Sequence, residues 1–148
     1  FAIAAFAVLA AALPRPAAAV DIRQVVSPGG IEAWLVEDHT NPLIALRIAF
    51  RGGSGMDPEG KEGLADMTSA LLDEGAGEYD SQAFQGRMQD LSIRISFDAG
   101  RDAFYGSVQT LSENREEAFR LLRLSLSEPR FDAEPVTRIR SQLLARLR

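Results

Sequence analysis

The sequence contains no cysteine and a single histidine, His39, among its 148 residues. The absence of cysteine excludes disulfides, thiolate metal sites and thiol nucleophiles. Because only one imidazole is present, a zinc site built on two or three histidines cannot form within this chain alone. These two shortages exclude several common forms of hydrolytic site.

Cationic residues are the minority among the charged residues. The chain has 16 Lys and Arg against 21 Asp and Glu, which gives a formal net charge of −5. This balance, without a dominant basic patch, argues against nucleic acid as the main partner. Apolar residues make up 46% and charged residues 25% of the chain, as in globular proteins and unlike disordered or fibrous ones. The length corresponds to one domain.

The chain begins with an apolar run over residues 1–13, which is shorter than the roughly 20 residues that span a bilayer. Pro14 follows this run, and the small residues Ala17 and Ala19 fit a cleavage site before Val20. We interpret residues 1–19 as a secretory signal peptide that is truncated at its N-terminus; a buried helix is the alternative. We expect export into a bacterial periplasm. That compartment permits disulfides but does not require them, so a chain without cysteine is compatible with it. We expect no membrane span after cleavage.

Hydrophobic periodicity predicts an α+β fold with a largely antiparallel sheet and helices packed on one face. The predicted strands cover residues 21–26, 31–36, 43–51, 91–97 and 103–111, with the first two and the last two paired as hairpins. Four helices are predicted: from Leu64 to Gly75, from Asp80 or Ser81 to Asp90, from Asn114 to before Pro129, and from Asp132 onward. A capping box of Asn114 and Glu117 is expected at the start of the third helix.

The residues alone indicate no self-contained active site. Three candidate groups are assigned to solvated polar surface: the cluster around His39, the carboxylates Asp73 and Glu74 at a helix end, and the arginines of the last helix. A catalytic role for Ser69 with Asp66 is disfavoured, because a serine nucleophile needs a base and none is near in sequence. These residues therefore describe an exported α+β domain without evident chemistry.

An ordered set of short motifs nevertheless resembles the N-terminal domain of the pitrilysin and insulinase family of zinc peptidases, which includes the mitochondrial processing peptidase. The motifs are Trp34 to His39 with Asn41 to Leu43, Phe50 to Ser54, Pro58 to Ala65, Leu71-Leu72 with Gly75, and Glu128 to Phe131. The resemblance covers nearly all of residues 20–148, and it implies that they form an incomplete domain of a longer protein.

The family places an inverted zinc motif, His-x-x-Glu-His, directly after a Gly-x-Ala sequence. Here that stretch runs from Asp66 to Ala70. By the resemblance, Asp66 stands at the position of the first zinc ligand, Ser69 at that of the general base and Ala70 at that of the second ligand. The position of the third ligand falls near Arg146. It therefore implies a degenerate motif, with no catalytic residue, metal ligand or cofactor in this chain and with zinc in a catalytic partner.

The resemblance implies a non-catalytic subunit of a periplasmic zinc-peptidase heterodimer. Such a subunit contributes chamber wall and substrate contacts to an active subunit of the same family, and its substrates are peptides or unfolded proteins. A stand-alone peptide-binding or scaffold protein and a peptidase with a different site are the alternatives. The resemblance also implies peptide contact at an edge strand, because a strand of the family's active-site domain accepts an extended peptide through backbone pairing. We assign this role to the strand carrying Leu91, Ile93, Ile95 and Phe97; a paired interior strand is the alternative.

Overall fold

The computed structural model describes residues 21–146. They form two compact units that divide between Asn41 and Pro42. The predicted signal peptide, residues 1–19, lies outside the described residues.

The first unit is an antiparallel hairpin of β1 (Ile22–Val26) and β2 (Glu32–Val36). Its register pairs Ile22 with Val36 and Val26 with Glu32. The turn between the strands includes Gly30 at φ 81, a left-handed conformation that glycine adopts without strain. The predicted first hairpin is therefore confirmed.

The second unit contains a three-stranded antiparallel sheet. Its strands are β3 (Leu43–Arg51), β4 (Arg94–Ala99) and β5 (Ala103–Leu111), in the order β3-β5-β4. The central strand β5 is adjacent in sequence to β4, as the predicted second hairpin requires. Sheet order thus puts β3 and β4 at the two edges of the described sheet.

Four α-helices accompany the sheet: α1 (Leu64–Ser69), α2 (Ser81–Asp90), α3 (Arg115–Ser127) and α4 (Ala133–Arg146). One face of the sheet carries Ile95 and Val108, which are buried in the core with Phe84 of α2 and Leu121 of α3. The alternate residues of the strands are mostly exposed on the other face. The predicted α+β fold is therefore confirmed.

Helix α1 is shorter than the apolar spacing predicted, since it ends at Ser69 instead of continuing to Gly75. The Leu71 N–H donates to the carbonyl oxygen of Thr68, only three residues back, at 3.1 Å. This closer pairing tightens the backbone out of α geometry. Leu71 and Leu72 remain buried in the turn that follows.

Strand β4 begins at Arg94, three residues later than predicted, and extends to Ala99. Leu91 and Ser92 lie in a turn, and Ser92 has a positive φ of 53. The predicted capping box is wrong as well, because the Asn114 Nδ2 donates to the carbonyl oxygen of Leu91 at 2.9 Å. Asn114 therefore fixes the turn before β4 and does not cap its own helix.

Candidate functional site

The loop before α1 sets the position of the degenerate motif. The Asp57 carboxylate accepts hydrogen bonds from the backbone N–H of Gly63 at 2.8 Å and of Ala65 at 3.0 Å. Gly63 has φ 91, which an L side chain would strain. Asp57 thereby satisfies N–H groups at the start of α1 that have no partner within the helix.

Two of the four motif positions line one groove between α1 and α4. Asp66 and Arg146 border this inter-helix groove of about 600 Å³, whose walls also include Met67, Arg140 and Leu143. The tertiary structure thus brings together two residues that are far apart in sequence, where the resemblance assigned the first and third ligands. A carboxylate and a guanidinium occupy these two positions.

The other two motif positions supply no ligand. Ser69 is buried, and its Oγ donates to the carbonyl oxygen of Asp66 at 2.8 Å. Ala70 has no side-chain donor atom, and its backbone N–H donates to the same carbonyl oxygen at 3.1 Å. The one imidazole of the chain, His39, lies outside the motif. The residues at this site therefore do not fit a zinc ion, which needs three or four nitrogen, sulfur or oxygen ligands.

Residues 21–146 contain no group of three His, Cys, Asp or Glu side chains placed to hold a metal ion. The same residues include no helix with the length and apolarity that a membrane span needs.

Strand β4 offers backbone hydrogen-bonding groups at the sheet edge. The Gly100 N–H donates to the carbonyl oxygen of Ala103 at 2.9 Å, so Gly100 and every second residue before it in β4 bond to β5. By the alternation of an antiparallel ladder, the N–H and C=O groups of Ile95 and Phe97 point away from β5. Within residues 42–146, no strand pairs with that side of β4.

The four predicted edge-strand residues differ in their position relative to β4 and in the exposure of their side chains. Leu91 and Ile93 precede β4, whereas Ile95 and Phe97 lie within it. The side chains of Ile93 and Ile95 are each only 4% exposed in the core. Contact with an added strand would therefore use the backbone of β4, while these side chains hold the strand in place.

A second groove, the edge groove, runs beside β4. It has a volume of about 1080 Å³ and is bordered by β4, by α2, by one end of α4 and by the segment after α1. Its wall residues include Asp73, Glu74, Gln85, Arg94, Ile95 and Arg138. Sequence reasoning did not find this groove, because it joins segments more than sixty residues apart.

The carboxylates Asp73 and Glu74 are half-buried in this groove, so their assignment to solvated surface is wrong. Glu74 accepts hydrogen bonds from Arg138 Nη2 at 2.6 Å and from Ser81 Oγ at 2.6 Å. Burial of Asp73 raises the pKa of its carboxyl to about 6. Two adjacent buried leucines, Leu71 and Leu72, are the sequence signal that could have indicated this burial.

The sequence and fold of the chain are similar to those of known proteins. No family model matches the chain. A curated relative, the "Non-peptidase homolog YmxG" of Helicobacter pylori, is 27% identical over 124 residues, covering 84% of this chain and 29% of the relative. A crystal structure of a peptidase M16 inactive domain from Pseudomonas fluorescens is 29% identical with a TM-score of 0.78, covering 85% of this chain and 31% of that one. The predicted resemblance is confirmed. The chain is similar to a degenerate, non-catalytic pitrilysin-like protein.

More distant structures share the fold. Pitrilysin superposes with a TM-score of 0.73 at 18% identity, covering 86% of this chain and 14% of pitrilysin. A protease from Helicobacter pylori superposes with a TM-score of 0.71 at 17% identity, covering 88% of this chain and 31% of the protease. The chain spans less than a third of the length of each of these proteins.

Proposed function

We propose that this chain belongs to a non-catalytic subunit of a periplasmic zinc-peptidase heterodimer, in which it contributes chamber wall and peptide contacts to an active partner. The observation that carries the proposal is the donor set of the degenerate motif. Ser69 and Ala70 offer no ligand, and Arg146 lines the same groove as Asp66. A guanidinium cannot bind zinc, because it has donors and no acceptor.

Two further observations support the proposal. The similarity to a non-peptidase homologue and to an inactive M16 domain favours a role without hydrolysis. The leader pattern of residues 1–19 favours export, and a chain without cysteine is compatible with a periplasm. Zinc and the catalytic residues would then belong to the partner.

Co-purification tests the partnership. The full-length protein, tagged and expressed in its native host, is isolated from the periplasm under non-denaturing conditions. We expect a stoichiometric companion that carries an intact His-x-x-Glu-His motif, and chelator-sensitive peptidase activity only when both chains are present. Elution of the full-length protein alone, with no effect on the activity of such a homologue, would contradict the heterodimer.

The peptide contacts are proposed at the open edge of β4. An extended peptide can pair with the outward N–H and C=O groups of Ile95 and Phe97, and this pairing needs no metal ligand. Peptides with N-methyl groups at single positions test the pairing without altering the protein. Because strand bonding alternates, we expect N-methylation to weaken binding at every second position only. An equal effect at all positions would contradict edge pairing.

The stand-alone peptide-binding protein remains the second candidate. It is favoured by the fact that the β4 edge belongs to this chain and does not require a catalytic partner. The two candidates make different predictions for binding. A stand-alone protein would bind the same peptides with equal affinity before and after removal of any companion chain, whereas a chamber wall would lose affinity.

A further inference from the structure

One carboxylate of the edge groove has no side-chain hydrogen bond and no ion pair among the described residues. Glu74 is held by Arg138 and Ser81, and Arg138 also contacts Glu134 at 3.3 Å. In residues 21–146, by contrast, no side chain donates a hydrogen bond to the carboxylate of Asp73 and no cation lies within 4 Å of it. The segment itself is fixed, since the Gln85 Nε2 donates to the main-chain carbonyl of Asp73 at 2.9 Å.

Asp73 borders the same groove as the edge strand β4. Asp73 and Ile95 border the same cavity, and Ile95 is one of the residues whose N–H and C=O point away from β5. Side chains alternate between the two faces of a strand. A peptide paired with β4 would therefore turn one side chain in two toward the helix layer, where Asp73 lies.

We propose that Asp73 makes this edge selective for an extended peptide with a lysine or arginine at the position that faces the edge groove. The inference rests on the proposed peptide capture and names the substrate class for it. The cationic side chain would supply the partner that the carboxylate of Asp73 lacks in the described part of the chain.

The charges that face Asp73 agree with a cationic ligand. Glu74, Glu134 and Arg138 line the same groove, and Arg94 borders it from the sheet face that also carries Asp98. The groove therefore has three carboxylates, including that of Asp73, and two guanidinium groups. Arg138 is paired with Glu74 and Glu134, and its charge, together with the Asp73 backbone N–H, offsets only part of the burial of the Asp73 carboxylate. Burial raises the pKa of Asp73 to about 6, which leaves it charged and poorly solvated at neutral pH. Such a charge is costly without a partner.

The experiment uses the full-length protein and a series of labelled nine-residue peptides of Thr and Val. Each peptide carries one lysine, or the isosteric norleucine, at a single position, and N-methyl residues at both ends restrict the register. Binding is measured by fluorescence anisotropy. We expect lysine to bind about five-fold tighter than norleucine at one position, in line with a partly exposed ion pair, and to show no preference at the two neighbouring positions.

Two variants that each remove one negative charge test whether Asp73 causes the preference for lysine. Asp73→Asn removes the carboxylate from the groove, whereas Asp98→Asn removes an exposed carboxylate from the same strand edge on the opposite face. We expect Asp73→Asn to abolish the lysine preference while norleucine peptides bind as before. Asp98→Asn should retain the preference.

Three results would overturn the inference: an unchanged lysine preference in Asp73→Asn, an equal loss in Asp98→Asn, or a lysine preference that is the same at every position. The N-methyl series separates these results from failure of edge capture. If N-methylation still weakens binding at alternate positions, only the role of Asp73 is wrong. If no peptide of either series binds, both the capture and its selectivity are wrong.

Discussion

Removal of the charge at Asp73 should stabilise the protein at neutral pH. The folded environment raises the pKa of this carboxyl from 3.8 to about 6, mainly because burial penalises the charged form. The folded state therefore binds the proton more tightly than the unfolded state. Stability falls as the pH rises from about 4 to about 6, and the full cost of the charge is present above pH 6.

The size of the effect follows from the two pKa values. Their difference corresponds to at most about 3 kcal/mol, since one pKa unit equals about 1.4 kcal/mol. Asp73 is half-buried, so solvent screening reduces the cost to about 1–2 kcal/mol. The amide of Asp73→Asn has nearly the same shape and no charge, so this variant should recover about that amount at pH 7.5.

Denaturant unfolding of the full-length protein at pH 7.5 and at pH 4 measures this gain. We expect Asp73→Asn to raise the free energy of unfolding at pH 7.5 and to have little effect at pH 4, where the wild-type carboxyl is protonated in the folded state. Asp98→Asn, in which an exposed carboxylate is lost, should change stability little at either pH. A destabilised Asp73→Asn at pH 7.5, or an equal gain at both pH values, would refute the reasoning.

Three further predictions concern the motif and the ion pairs of Glu117 with Arg87 and Arg120. Metal analysis of the full-length protein should find no stoichiometric zinc, because Ser69 and Ala70 supply no ligand; about one tightly held zinc per chain would contradict this. Asp66→His should create no chelator-sensitive peptidase activity, since it adds one imidazole and no base; activity would show that the motif is misaligned. Arg120 and Arg87 hold the pKa of Glu117 at about 2. Glu117→Gln should therefore destabilise the protein by about 1 kcal/mol at pH 7, and the loss measured by denaturant should shrink as the pH falls from about 4.5 toward 2.

Local patterns determined much of the secondary structure. The strands β3 and β5 have the bounds that the sequence predicted, from alternation in β3 and from the tight connection before β5. Asp80 caps α2 by accepting a hydrogen bond from the Ala83 N–H at 2.8 Å. These features depend on neighbours within four residues, so the order of side chains is sufficient to predict them. The chemistry missing from the motif is equally local, because alanine has no side-chain ligand atom and serine is a poor general base in any fold.

Other predictions failed where a distant residue decided the outcome. Helix α1 ends early, and β4 starts late, because Leu71, Ile93 and their neighbours pack into a core built from the whole unit. Asn114 bonds to Leu91, twenty-three residues away, and not to its own helix. A capping pattern indicates which hydrogen bond is available, but it cannot exclude a competing acceptor brought close by the fold.

The sequence by itself determined that the motif cannot hold zinc, since cysteine is absent, the single histidine lies elsewhere and Ala70 has no donor atom. Only the tertiary structure decided that β4 lies at the sheet edge, that Asp66 and Arg146 share a groove, and that Asp73 is half-buried in the groove that Ile95 also borders. The physical reason is that donor atoms belong to individual residues. Strand order, burial and the neighbours of a charge, in contrast, are set by contacts between segments that are far apart along the chain.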